Sequence, residues 1–195
     1  MAVVFCTRIQ MTITIPDNYK WLLSITDLPR TIEEALKRYN VIEAPGPPDN
    51  PTIMGWRDEL LKAGVNVKDF THDSVPWCGL FAAIVVFHRM NDPKEVVEDP
   101  LWALNWAKYG VKSDRPSLGD VLTFVRNGGG HVGFYVGEDS SCYHVYGGNQ
   151  SDHVCFTRVP KERLHASRRP KYKVQPASVK PYFLAATGAV STKEQ

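Results

Sequence analysis

The sequence predicts an α+β domain in which a central helix packs on an antiparallel β-sheet. Three observations predict it. Helix caps and stops, with apolar residues at helical spacing, fill the chain as far as Gly119. Beyond Gly119 the pattern changes to the period-2 alternation of strands broken by glycine turns. Between the two, residues 80–87 (Leu-Phe-Ala-Ala-Ile-Val-Val-Phe) are apolar on every face, as a helix in the middle of a domain must be. At 195 residues, 43% hydrophobic and 11% aromatic, the chain has material for one sizeable core.

Taken in order, residues 16–25 and 31–39 read as helices. The second opens on Thr31 with Glu34 three residues on, the pattern of a capping box. Residues 44–51 (Ala-Pro-Gly-Pro-Pro-Asp-Asn-Pro) form a stiff loop that helix and strand both avoid. It divides a helical N-terminal extension, residues 1–43, packed on the core, from the central domain, residues 44–166. Asn50 and Pro51 cap a helix over 53–63, with Gly64 as its stop. Asp69 and Asp73 offer too few oxygens for a calcium loop and read as solvated turn residues. Pro76, with φ preset and no amide hydrogen, starts the central helix, and His88 ends it, where a cation suits the dipole. Asp99 and Pro100 open a helix over 101–109, stopped by Gly110, with Trp102 and Trp106 sharing a core-facing side. Strands follow at 120–125, 131–136, 142–146 and 153–158, a four-stranded meander. Residues 167–195 carry six Lys or Arg against Glu194 alone, with Pro170, Pro176 and Pro181, and read as a solvated basic tail.

Composition excludes several classes. A net charge of +2 argues against a dedicated nucleic-acid binder. Cys6, Cys78, Cys142 and Cys155 show no CxxC pair and no zinc-type spacing with His, so free thiols are expected rather than a disulfide scaffold or a metal centre. No apolar run approaches the roughly 20 residues of a membrane span. The first residues lack the basic and long apolar regions of a signal peptide, so the expectation is synthesis in the cytoplasm, with release or delivery by something else if the substrate lies outside.

Chemistry is expected around Cys78. It falls in the first turn of the central helix, where unpaired N–H groups and the helix dipole favour thiolate. His131 follows three glycines and opens a strand, a position suited to a general base. With the hairpin turn at 138–141, pairing places His131 opposite Gly148, beside Asn149. The Asn149 amide oxygen would then accept Nδ1–H of His131 and aim Nε2 at the sulfur. Singly these are a core cysteine, a surface histidine and a turn asparagine; together they have the Cys-His-polar logic of acyl transfer. The backbone N–H of Cys78 is the natural oxyanion donor. Trp77, Tyr135 and Trp56 are candidates to line a substrate groove. A thiol and an imidazole require no cofactor, and glycines 128–130 join two strands rather than a strand and a helix, so they are not a phosphate loop.

Four blocks carry a resemblance: Pro76-Trp-Cys-Gly-Leu-Phe81, Gly119-Asp-Val-Leu-Thr-Phe124, Gly130-His-Val-Gly-Phe-Tyr-Val-Gly137 and Gly147-Gly-Asn-Gln-Ser-Asp152. In this order they resemble the motifs of CHAP and NlpC-type cell-wall amidohydrolases, most closely the phage and bacterial branch with a Gly-Gly-Asn-Gln block. The resemblance spans residues 40–160 or so. It implies a papain-like fold and cleavage of an amide in peptidoglycan, within the stem peptide or between the lactyl group and L-alanine. Lysis, penetration of a host by phage, or attack on rival bacteria would be the setting, with delivery machinery or an immunity protein as further partners. It makes Cys78 the nucleophile, His131 the base and Asn149 the orienting residue. Gly147 stands where many CHAP enzymes have an acid, and His144 falls near the second histidine of NlpC-type enzymes; the pairing count favours Asn149. Two other readings stand beside this one. One is a thiol hydrolase or transferase acting on another amide or ester; the other is a catalytically silent virion- or tail-associated binding module.

Overall fold

The computed structural model describes residues 13–126, 128–188 and 190–191. Cys6 and the first residues, read above for a thiol and a leader, lie outside the described residues, as does Lys193 of the basic tail.

The organising element is α3, Cys78–Met90, in which every residue from Cys78 to Phe87 is buried. Each large aliphatic side chain buried there contributes roughly 1.5–3 kcal/mol, which is why a helix without a polar face lies inside the domain. Asn91 closes it in the left-handed conformation (φ 55°), which asparagine tolerates. Before it come α1, Arg30–Leu36, and α2, Pro51–Lys62. Asn50 caps α2 as expected, its Oδ1 accepting from Thr52 N at 2.8 Å and Ile53 N at 3.3 Å. His88 reaches Glu59 Oε1 at 2.7 Å and ties α3 to α2. Among the described residues no helix is long and apolar enough to cross a membrane.

The sheet has six strands: β1 Val111–Lys112, β2 Val121–Arg126, β3 Gly129–Glu138, β4 Cys142–Gly147, β5 Cys155–Pro160 and β6 Leu164–Arg169. They lie in the order β1-β6-β2-β3-β4-β5, all neighbours antiparallel. The fold is therefore α+β. Val132, Phe134, Val136 and Tyr146 join α3, α1 and α2 in the main core. Leu122, Phe124, Tyr135, Val145 and Val159 form a smaller core on the opposite face.

Several local expectations are corrected. Residues 16–25 wind as a 3₁₀ helix, Asp17–Ser24, and the expected helix at 101–109 shortens to a 3₁₀ segment, Ala103–Lys108. Trp102 falls outside this segment, as its extended N-cap, so the two tryptophans no longer share a helical face. Trp106 is fully buried, its Nε1 donating to Pro100 O at 2.9 Å, while Trp102 is 62% exposed. The capping box at Thr31 does not form. Pro29 is the N-cap, Thr31 lies inside the first turn, and Glu34 pairs with Lys37 and Arg38. Asp73 is buried rather than solvated: its Oδ2 accepts from Ala44 N and Asn50 N, both at 2.8 Å, pinning the proline-rich loop beside the start of α3.

The boundary expected at 166/167 falls inside β6, and the meander of four gains two strands. Arg168 and Arg169, read as tail charges, are structural: Arg169 holds buried Asp120, and Arg168 Nε donates to Tyr109 O at 2.6 Å. The chain beyond β6 is tied down at Ser178 on Asp27, and residues 182 and 184 each bond Glu138 at 2.8 Å. The segment before residue 44 contributes Ile15, Tyr19 and Leu22 to the same core as α3.

Candidate active site

The first helical bond of α3 runs from Phe81 N to Trp77 O, so the amides of Cys78, Gly79 and Leu80 have no helical acceptor. The Cys78 sulfur lies near N–H groups of this turn and near the amide of Val132 in β3, all of which favour its thiolate. That amide is available for a definite reason. Tyr135 turns both its N–H and its C=O to the β2 side, bonding Asp120 O at 2.8 Å and Gly119 N at 3.0 Å. On the near side of the bulge at 135–137, the even-numbered residues Gly130, Val132 and Phe134 of β3 therefore face β4. The last β3–β4 pair toward this end is Phe134 with Tyr146. Beyond it β4 leaves the ladder, and the outward groups of Val132 and Gly130 lie on the edge it vacates.

The departure of β4 is set by Gly148. A Cβ there would lie 2.5 Å from Phe81 Cβ and 2.7 Å from the Trp77 ring, so only glycine lets the turn press this closely on α3. The turn then passes through Asn149, Ser151 and Asp152, all left-handed (φ 54°, 53° and 61°), and closes with Gln150 N donating to His153 O at 3.0 Å. It swings the Gln150 side chain back beneath the end of β4. There Nε2 of Gln150 faces three carbonyls, Cys155 O at 2.5 Å, Gly147 O at 3.4 Å and Val145 O at 3.5 Å. Three acceptors around one end fix the amide, so Oε1 points the other way, to His131 Nε2 at 3.2 Å. An amide oxygen only accepts, so His131 carries its proton on Nε2 and Nδ1 is the basic nitrogen.

This corrects the expected assignment in two respects. The residue on His131 is Gln150, not Asn149, and the ring nitrogen it engages is Nε2, not Nδ1. The reason is register. Gly137 pairs with His144 rather than with residue 142, a bulge follows, and the left-handed turn carries Asn149 out of the ladder. Asn149 is 2% exposed, and its Oδ1 has no hydrogen-bond partner among the described residues. Gly147, noted for standing where relatives of the resembled family have an acid, leaves space where imidazole and amide meet: a Cβ would lie 3.3 Å from His131 Nε2.

His144 is engaged elsewhere. Tyr19 Oη donates to its Nδ1 at 2.8 Å and its Nε2 faces Asp139 Oδ2 at 3.1 Å, on the α3 side of the sheet with Tyr146. His131 pairs with Phe124, a member of the core on the opposite face, their rings 6.5 Å apart. Trp77 and Tyr135 line no groove. Both are fully buried, Trp77 bonding Glu43 Oε2 at 2.9 Å, Tyr135 bonding Glu138 and Tyr182 in the second core. Trp56 packs against Trp77 and is buried as well.

Burial also changes the expected thiol chemistry. Cys78 is 3% exposed, and desolvation pushes its thiol above the ordinary range. The amides of Val132, Gly79 and Cys78 and the Arg126 charge oppose this without overcoming it. At rest the group is a thiol whose proton must be taken by a base. The Cys155 thiol is pushed up by burial to about 11. Among the described residues no group of three or more His, Cys, Asp or Glu side chains is placed to hold a metal ion.

Compared with protein-family models, with curated proteins and with solved structures, the chain finds no match.

Proposed function

We propose that the chain is a papain-like cysteine amidohydrolase that cuts an amide of peptidoglycan, acting on the bacterial wall after release or delivery. The observation that carries this reading is the vacated edge of β3. There the helix-start sulfur lies near the amide of Val132, and the residue before it in β3, His131, has its tautomer fixed by Gln150. His131 Nδ1 takes the Cys78 proton as the sulfur attacks the carbonyl carbon. Charge building on the carbonyl oxygen meets the Cys78 N–H. The imidazolium then gives its proton to the leaving nitrogen, the C–N bond breaks, and a thioester remains. Water, deprotonated by the same Nδ1, hydrolyses the thioester and restores the thiol. Gln150 is a positioning residue throughout. The choice of peptidoglycan rests on the resemblance of the four sequence blocks.

The test is release of soluble fragments from purified peptidoglycan by the wild type and by Cys78→Ala at equal folded content, with mass analysis. Release by the wild type alone is expected, and the fragment masses identify the bond. Release by neither protein across several wall chemistries, or by both, refutes the reading.

A further inference from the structure

We propose that Arg126 is a carboxylate seat beside the nucleophile, selecting substrates that carry a free carboxylate within a few bonds of the amide that is cut. Arg126 ends β2 opposite Gly129, and its Nε donates to Gly130 O at 3.2 Å. Gly130 is even-numbered, so its carbonyl faces the edge that β4 vacates, as the Val132 amide does. The guanidinium thus sits on one outward group of this strand edge, the Gly130 carbonyl, and the Cys78 sulfur lies near the next, the Val132 amide. Gly130 allows the approach from the other side as well, since Leu104 occupies the place of a Cβ.

The rest of the guanidinium has no assigned work. Arg126 makes no other hydrogen bond and no ion pair among the described residues, unlike Arg158, which is paired with Asp139, and Arg169, paired with Asp120. A half-buried guanidinium lacking a counter-ion and presenting its terminal N–H groups matches a carboxylate in shape and charge. Its charge is felt at the sulfur, where it favours thiolate. For the natural substrate this inference rests on the amidohydrolase reading above; its test does not.

Iodoacetate and iodoacetamide differ in the charge next to the carbon attacked. In both, the Cys78 proton goes to His131, the sulfur–carbon bond forms, and iodide leaves. The probe is the ratio of the two alkylation rates, mapped to Cys78 by mass. The wild type is expected to favour iodoacetate about tenfold more than a small free thiol does. Arg126→Gln returns the ratio to the free-thiol value, and Arg126→Lys, which keeps the charge without the fork, falls between. The ratio cancels any change in thiol basicity common to both reagents. A wild-type ratio no higher than that of a free thiol, or one that neither substitution lowers, overturns the seat. The two readings separate cleanly. A charge-selective ratio without wall cleavage keeps the seat and rejects the peptidoglycan substrate. Cys78-dependent cleavage with a flat ratio does the reverse.

Discussion

Replacing Gln150 with Leu removes the acceptor on His131 Nε2 and the donor facing three carbonyls. Of those three contacts, the one to Cys155 O at 2.5 Å is short, while those at 3.4 and 3.5 Å contribute little. Losing one good bond, and leaving buried carbonyls without a donor, costs about 2–3 kcal/mol. For a domain of this size that lowers Tm by about 6 °C. The kinetic effect is larger. Without Oε1 the imidazole is free to take the other tautomer, with its proton on the nitrogen that must act as base. Loss of that orientation lowers kcat about 100-fold with KM little changed. Asn149→Gly is the comparison, because glycine keeps the left-handed conformation at φ 54° while deleting the amide. It should retain kcat within about threefold, since Asn149 touches no reacting group. Steady-state kinetics on soluble wall fragments, with thermal melts of each variant, check both. Gln150→Leu keeping its kcat, or Asn149→Gly losing as much as Gln150→Leu, refutes the assignment of the positioning residue.

Two further outcomes concern pH. Because burial raises the Cys78 thiol, its alkylation in His131→Ala should titrate above the free-thiol value of about 8.5, whereas the wild type stays reactive at lower pH through His131; identical rate–pH curves would exclude proton transfer between the pair. Burial also holds His144 below its ordinary value of 6.5, against the opposing pull of Asp139. The folded state resists a proton that the unfolded chain accepts, so this contribution is complete above about pH 6.5 and is lost as pH falls. Tm should therefore decline from pH 7 to 5 in the wild type and less steeply in His144→Gln; equal slopes would show that the buried network does not govern acid stability.

The parts legible in the sequence are those where one short-range signal decides. An apolar run on all faces, preceded by Pro76, leaves α3 little choice but the centre. Asn50 before Pro51 is a cap whatever surrounds it. What escaped depends on partners distant in sequence. β6 reads Leu-His-Ala-Ser-Arg-Arg, half exposed and basic, and is a strand because β1 and β2 flank it, with Arg169 neutralising buried Asp120. Asp73 looks like a turn residue until two amides from the proline-rich loop are found on it. Around the proposed site, the start of α3 at Cys78 and the strand that carries His131 were legible from Pro76 and the glycine run. The side chain that meets His131 was misplaced by one residue, because pairing arithmetic presumes a regular ladder. The signal available was the turn itself: Asn149, Ser151 and Asp152 are turn-formers that accept left-handed backbone, and Gln150 among them is the side chain left with work to do.

The two interior histidines show why a count of spacings does not separate a site from a scaffold. Both lie in the central hairpin, both are fully buried, and both meet a side-chain oxygen at Nε2. Their acceptors differ in kind. His144 faces a carboxylate that burial pushes upward but that the Arg158 guanidinium and the amides of Ser141 and Cys142 hold well below the ordinary range. Tyr19 closes its other nitrogen, so the ring joins the 3₁₀ segment to the sheet with no edge left for substrate. His131 faces a neutral amide at a place where a strand has departed. A neutral acceptor fixes the tautomer without adding a charge that favours the imidazolium, leaving the ring able both to take and to return a proton. It follows that Gln150→Glu, which preserves the contact but adds a charge, should raise the pH of the acidic limb of kcat rather than abolish turnover; an unshifted limb would mean that His131 is not the group titrating there.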